Sequence, residues 1–153
     1  MAKEIERKFL VDEALLPTLP KGYVMRQGYI PSKGITVRIR VSNEKAYLTL
    51  KGKATGLSRS EFEYTIPTED AKAMLDELCQ HPLIEKTRYL IIHENHTWEL
   101  DIFEGDNKGL IVAEIELQDE KECFIKPLWI TKEVSYETKY RNSELIKAPF
   151  NSW

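Results

Sequence analysis

Charges of one sign recur in this sequence at i and i+2. They are Glu4/Glu6, Arg38/Arg40, Lys51/Lys53, Glu61/Glu63, Lys86/Arg88 and Glu114/Glu116, with Lys8 and Asp101 as single additions. Paired carboxylates suit hard divalent cations such as Mg²⁺ or Mn²⁺. Paired Arg and Lys side chains suit phosphate oxygens, Arg through two parallel hydrogen bonds. Both kinds together, in comparable number, fit a cation-chelated polyphosphate better than a single phosphate. A solvated sheet face is the alternative source of such charges. Solvated faces usually mix signs, because like charges opposite one another repel.

The doublets fall on segments with the period of a β-strand, so both members of a doublet share a face. Glu4, Glu6 and Lys8 share one face of the first segment, and Ile5 and Phe9 the other, with Arg7 among them. Arg38 and Arg40 oppose Val37, Ile39 and Val41 in the stretch from Ile35 to Val41. Lys51 and Lys53 share parity with Tyr47 and Thr49 in a strand expected from Ala46 to Lys53. Glu61 and Glu63 oppose Phe62 and Tyr64. Further strands are expected over residues 22–30, Ile84 to His93, His96 to Phe103 and Gly109 to Leu117, with a last short one at Glu133-Val134-Ser135.

Helical signals are few. Asp12 is the expected N-cap of one turn stopped by Pro17. Residues 68–79 repeat Ala71, Met74, Leu75 and Leu78 at helical spacing, with Thr68 as the expected cap and His81-Pro82 as the stop. A short helix is expected between Tyr140 and Lys147. About eight strands at hairpin-like spacing predict an α+β, mainly β fold: a closed antiparallel barrel or a sandwich. A closed sheet of about eight strands has an interior wide enough for side chains or one small ligand. The outward apolar faces then need cover from the helix at 68–79, the tail or a partner subunit.

Bulk properties narrow the field. The 153 residues suit one domain with a substantial core. A net charge of −3 argues against a nucleic-acid binder. No apolar run approaches the length of a membrane span and no signal-peptide pattern opens the chain, so a cytoplasmic protein is expected. Cys79 and Cys123 lack metal-site spacing and are expected as small core residues. No Gly-rich phosphate loop and no GxSxG elbow is present.

The segment Glu4-Ile5-Glu6-Arg7-Lys8-Phe9 resembles the ExExK signature of the CYTH, or triphosphate tunnel metalloenzyme, superfamily. Gln27-Gly28-Tyr29, Arg38-Ile39-Arg40, Thr49-Leu50-Lys51-Gly52, Arg59-Ser60-Glu61-Phe62-Glu63, Lys86-Thr87-Arg88-Tyr89, Glu99-Leu100-Asp101 and Ala113-Glu114-Ile115-Glu116-Leu117 come in the family's order. So do Glu133-Val134-Ser135, Tyr140, Asn142 and Leu145. The resemblance covers nearly the whole chain, residues 1–153. It implies a closed eight-stranded antiparallel tunnel with flanking helices, acting with Mg²⁺ or Mn²⁺ on a small-molecule triphosphate.

The same resemblance assigns roles. Lys8, Arg38, Arg40, Lys51, Lys53, Lys86 and Arg88 would bind the triphosphate. Glu4, Glu6, Glu61, Glu63, Asp101, Glu114 and Glu116 would supply metal ligands and water-positioning carboxylates. Glu4, Glu6, Lys8, Glu114 and Glu116 would form the catalytic set. The family tail often has a basic residue before its Tyr in a Gly-Asp turn; here the segment is Tyr136-Glu137-Thr138-Lys139-Tyr140, and Lys139 is the candidate for that place. The expected reaction is hydrolysis of inorganic tripolyphosphate to pyrophosphate and phosphate. A class IV-type adenylate cyclase, a thiamine triphosphatase and a non-catalytic polyphosphate or nucleotide sensor are the alternatives. No nucleic-acid or membrane partner is expected, and the protein would act as a monomer or homodimer.

Overall fold

The computed structural model describes residues 3–153. The elements in chain order are β1 (Lys3–Val11), β2 (Tyr23–Ile30), β3 (Thr36–Ser42), β4 (Lys45–Lys51), β5 (Ser58–Ile66), α1 (Thr68–Glu77), β6 (Ile84–His93), β7 (His96–Phe103), β8 (Ile111–Glu116), β9 (Ile130–Glu133) and α2 (Asn142–Lys147). The first eight strands close into an antiparallel barrel in the circular order β1-β5-β4-β3-β2-β6-β7-β8. β9 lies outside the ring on the free edge of β1.

Closure rests on a strand that changes partners. Lys3, Glu4 and Ile5 of β1 pair with Ser60, Arg59 and Ser58 of β5. Further along the same edge, Phe9 and Val11 pair with Glu133 and Ile130 of β9. The other edge of β1 runs unbroken against β8 from Glu6 to Leu10.

Because charged faces point inward, most of the apolar core lies outside the ring. Ile39 and Ala46 are covered by Ala71 and Leu75 of α1. Gly28 permits this docking, since a Cβ there would stand 2.8 Å from the Cβ of Cys79. On the opposite flank Phe9, Trp98, Leu100, Ala113 and Ile115 are covered by Leu16 and Leu19 after β1 and by Phe124 and Trp129 before β9. Each fully buried large side chain of this kind contributes ~1.5–3 kcal/mol. A third cluster fills one end of the bore. Ile84, Phe103, Leu110 and Val112 meet Leu145 and Ile146, so α2 stoppers that end. The outer face of β5 is left bare, with Phe62 and Tyr64 exposed.

Several boundaries differ from expectation. β4 ends at Lys51, because the chain turns at Gly52, whose N–H bonds Ser60 O at 2.9 Å. The last strand is Ile130–Glu133, not 133–135, and α1 ends at Glu77. Thr68 does not cap α1. Pro67 holds that position without a side-chain bond, and the Thr68 hydroxyl donates to Glu44 O. Asp12 caps as expected, accepting from the Ala14 N–H over a 3-10 turn. The tail helix starts at Asn142 after a 3-10 turn at Thr138–Tyr140. Cys79 is buried, but Cys123 is exposed in a surface loop. No helix among the described residues is long and apolar enough to cross a membrane.

Candidate active site

The barrel encloses a cavity of about 280 Å³. Around its circumference the charges are sorted. β7, β8, β1 and β5 are consecutive in the ring and bring in Glu99, Glu114, Glu116, Glu4, Glu6, Glu61 and Glu63. β4, β3, β2 and β6 form the facing arc and bring in Lys51, Arg38, Arg40, Lys86 and Arg88. Topology rather than sequence order creates these two walls, because strands distant in the chain become neighbours. Lys8 on β1 and Arg59 on β5 are the basic exceptions on the acidic side.

The structure therefore gathers the expected site residues, with three exceptions. Lys53 comes after the end of β4, is exposed and does not line the cavity. Parity carries a side chain to a face only while the strand continues. Asp101 is fully buried behind the wall instead of on it. Its Oδ2 is 2.8 Å from Lys86 Nζ and its Oδ1 is 2.8 Å from Arg88 Nε, so it anchors both bases. Lys139 is also off the cavity, with its ammonium 4.3 Å from the Trp153 ring centroid.

Ion pairs join the two arcs, mostly between neighbouring strands where the arcs meet. Lys51 Nζ stands 3.2 Å from both Glu4 Oε1 and Glu61 Oε2. Arg38 Nη2 is 3.3 Å from Glu63, and Arg88 Nη1 is 3.1 Å from Glu99. Arg40 Nε donates to Gln27 Oε1 at 2.8 Å, and Gln27 donates to Asn142 Oδ1. Asn142 also accepts from Lys86 Nζ at 2.9 Å, and Lys8 Nζ donates to Tyr140 O at 3.0 Å. The C-terminal segment is thus stitched to three bases of the site.

The acidic wall holds more carboxylates than nearby cations can neutralise. Burial, a hydrogen bond with Glu61 and the charge of Glu61 raise Glu4 to about 7, against the pull of Lys51. Burial and the neighbouring Glu114 hold Glu6 well above the usual carboxylate range. In each pair one partner keeps the proton and the other stays ionised. Burial alone would raise Glu61, but its hydrogen bond to Glu4 and the charge of Lys51 bring it to about 2. Glu114 is likewise held low, despite burial, by Lys8 and Glu6. On the basic wall, burial and neighbouring arginines lower Lys86 to about 7 and Arg40 to about 10.

Carboxylates that must share protons are a donor set suited to a hard cation. Glu61 Oε2 is buried with Lys51 Nζ 3.2 Å away as its ion-pair partner, and Arg38 Nε, on the next strand but one, is buried with no acceptor. Among the described residues, no three such groups already converge on one point. A hard cation such as Mg²⁺ keeps several waters and takes one or two carboxylates plus substrate oxygens. Glu4, Glu6, Glu61, Glu114 and Glu116 are the residues that would hold it.

Sequence reasoning passed over other lining residues: Tyr29, Thr36, Arg59, Glu99, Arg141, Asn142 and Ser143. Tyr29, Arg59, Glu99 and Asn142 lie in segments that resemble the family's, and two of them also carry a signal of spacing. Glu99 forms a same-sign doublet with Asp101, and Arg59 shares parity with Glu61 and Glu63. Arg141 carried none, because it reaches the cavity from the tail.

A family model described as "CYTH domain" matches residues 2–149. The chain belongs to the CYTH domain family. It is 50% identical, over 100% of its length and 99% of the other's, to an inorganic triphosphatase of Acetivibrio thermocellus. It is 36% identical, over 93% of this chain and 95% of the other, to an inorganic triphosphatase of Nitrosomonas europaea. Among solved structures, that of the inorganic triphosphatase NE1496 superposes with a TM-score of 0.67 at 32% identity, covering 93% of this chain and 96% of that one.

Proposed function

We propose that this protein hydrolyses inorganic tripolyphosphate to pyrophosphate and orthophosphate with the help of Mg²⁺ or Mn²⁺. One observation carries the reading: an acidic arc and a basic arc face each other across one enclosed cavity. The triphosphatase relatives support the same reaction. Tyr29 is the one aromatic side chain lining the cavity, which offers little for a nucleobase or thiazolium ring to stack on.

Arg38, Arg40, Lys86 and Arg88 bind and orient the phosphate chain, Arg38 through its free Nε. Lys51 and Lys8 complete the basic contacts from the sides. A cation held by the carboxylates would neutralise phosphate oxygens and make a coordinated water more acidic. In the reaction itself the oxygen of an attacking water bonds to a terminal phosphorus, the bridging P–O bond breaks, and pyrophosphate leaves with the electron pair of that bond. Glu116, raised by burial and by Glu99 beside it, is the acceptor assigned to the water's proton.

The test is a panel of tripolyphosphate, pyrophosphate, ATP, GTP and thiamine triphosphate, each with Mg²⁺, Mn²⁺ or EDTA. Phosphate release and cyclic AMP are measured separately. Tripolyphosphate should turn over fastest, and only with a divalent cation. Absence of metal-dependent turnover of any triphosphate would refute the enzyme reading; cyclic AMP as main product would make the protein a cyclase.

A further inference from the structure

Arg38, Arg40 and Arg88 face the cavity from the basic arc, and carboxylates fix two of them. Arg38 stands 3.3 Å from Glu63, and Arg88 holds Asp101 and reaches Glu99. Each of these partners orients its guanidinium and also cancels part of its charge. Arg40 is held differently. Among the described residues it pairs with no carboxylate, and its one side-chain hydrogen bond runs from Nε to Gln27 Oε1 at 2.8 Å. Gln27 on β2 is its cross-strand partner. The terminal nitrogens of Arg40 are left to the cavity that it lines.

Gln27 has no solvent exposure and does not line the cavity itself. A guanidinium only donates, so the amide oxygen must face it and the amide nitrogen must turn the other way. There Nε2 donates to Tyr29 Oη at 2.9 Å and to Asn142 Oδ1 at 3.1 Å. Both N–H groups are used, so the amide is locked by Arg40, Tyr29 and Asn142 together. Asn142 Oδ1 also accepts from Lys86 Nζ at 2.9 Å, so the same amide steadies a second base. A buried polar network with its donors satisfied is rigid. A neutral acceptor holds a guanidinium still and leaves its full charge to the cavity. A carboxylate in the same place would hold it and cancel it.

We propose that Gln27 is a positioning residue of the site: a neutral, buried acceptor that aims Arg40 at the phosphate chain without cancelling its charge. The inference rests on the proposed triphosphatase reading and deepens it. Gln27 touches no substrate and acts through Arg40, with Asn142 carrying a weaker effect to Lys86. An arginine left loose would give up rotamer freedom at every binding event, and a fixed one does not.

The experiment measures KM and kcat for tripolyphosphate in the wild type, Gln27→Met, Gln27→Glu, Arg40→Ala and the double variant Gln27→Met with Arg40→Ala. Circular dichroism and thermal melts report folding of each. Methionine is flexible enough to fill the space without an acceptor, and glutamate keeps the acceptor but adds a charge. Loss of one charge-assisted hydrogen bond corresponds to about tenfold. Gln27→Met should raise KM by that factor with a smaller fall in kcat, and Gln27→Glu by at least as much although it keeps the bond to Nε. A merely structural glutamine would lower Tm and leave KM alone. In the Arg40→Ala background, Gln27→Met should add less than about twofold. A folded Gln27→Glu with KM within about twofold of the wild type would overturn the proposal, as would an increment of about tenfold from Gln27→Met in the Arg40→Ala background. Should Gln27→Glu fail to fold, the cycle between Gln27→Met and Arg40→Ala decides alone. Should the wild type hydrolyse no triphosphate, the functional reading falls instead. Calorimetric binding of tripolyphosphate to the wild type and Gln27→Met then decides the role of Gln27, with equal affinities, or no binding to either, overturning it.

Discussion

Arg88 grips Asp101 with both arms of its guanidinium, Nε to Oδ1 at 2.8 Å and Nη2 to Oδ2 at 2.9 Å, across the β6–β7 pair. Asp101 has no solvent exposure, and its two cationic partners hold it at about 2 against the upward push of burial. It sets the direction in which Lys86 and Arg88 face the cavity. Removing its charge leaves two buried cations short of a counter-ion. Asp101→Asn should cost about 3–5 kcal/mol in stability, read from denaturant unfolding. Unchanged stability would show that Lys86 and Arg88 find compensation elsewhere.

The cation-free protein should lose stability as pH rises from 5 to 7. Glu4 has a folded value of about 7, above its ordinary 4.5, and burial and Glu114 also raise Glu6 well above its ordinary value. The folded state therefore binds these protons more tightly than the unfolded chain. Their contribution is complete below pH 4.5 and is lost as pH climbs through 7. Glu61, lowered to about 2, gives the opposite slope in acid below 4.5, and Lys86, lowered to about 7, gives it from about pH 7 upward, so the loss from Glu4 and Glu6 is clearest between pH 5 and 7. Thermal melts in EDTA should show a lower Tm at pH 7 than at pH 5, and Mg²⁺ or Mn²⁺ should recover it at pH 7. A Tm that rises with pH in EDTA would count against proton sharing on the acidic wall.

Glu4→Gln and Glu116→Gln should each reduce kcat by at least about 100-fold while the protein stays folded, the range expected for losing positioned acid–base or cation-binding groups. Steady-state kinetics beside circular dichroism read both. Wild-type turnover in Glu116→Gln would remove it as the proton acceptor.

Arg40→Ala and Lys53→Ala separate true lining residues from residues that merely share a parity. Arg40 is buried in the basic wall, and Lys53 projects into solvent past the end of β4. Arg40→Ala should weaken tripolyphosphate binding by about tenfold or more, whereas Lys53→Ala should change it by less than about twofold. Equal effects would mean that Lys53 folds back over substrate.

Much of this arrangement is readable from local pattern, because a strand's period of two reports directly which side chains share a face. Glu4/Glu6, Arg38/Arg40, Glu61/Glu63 and Glu114/Glu116 all arrive where their parity sends them. What parity does not convey is depth along the bore or the point at which a strand stops. Asp101 has the right parity yet lies behind the wall, since Lys86 and Arg88 close over it. Lys53 has it too, and Gly52 turns the chain before it counts. Arg141 and Asn142 reach the cavity through tertiary packing of the tail, which no periodicity encodes. The division into acidic and basic arcs depends on the pairing of β1 with β5, a contact between chain segments more than fifty residues apart.

That pairing is also the shortest seam of the ring, three residue pairs long, and it includes Glu4 opposite Arg59. An open sheet running from β5 round to β1 would already contain every other strand contact, with both charged walls laid out flat. Only when the seam zips does Glu4 come within reach of Lys51 and Glu61. The chain's first strand is thus the clasp of the vessel. The charges that repel one another along the acidic wall are brought to close quarters by the same act that encloses them, so the charged chamber and the finished ring come into being together.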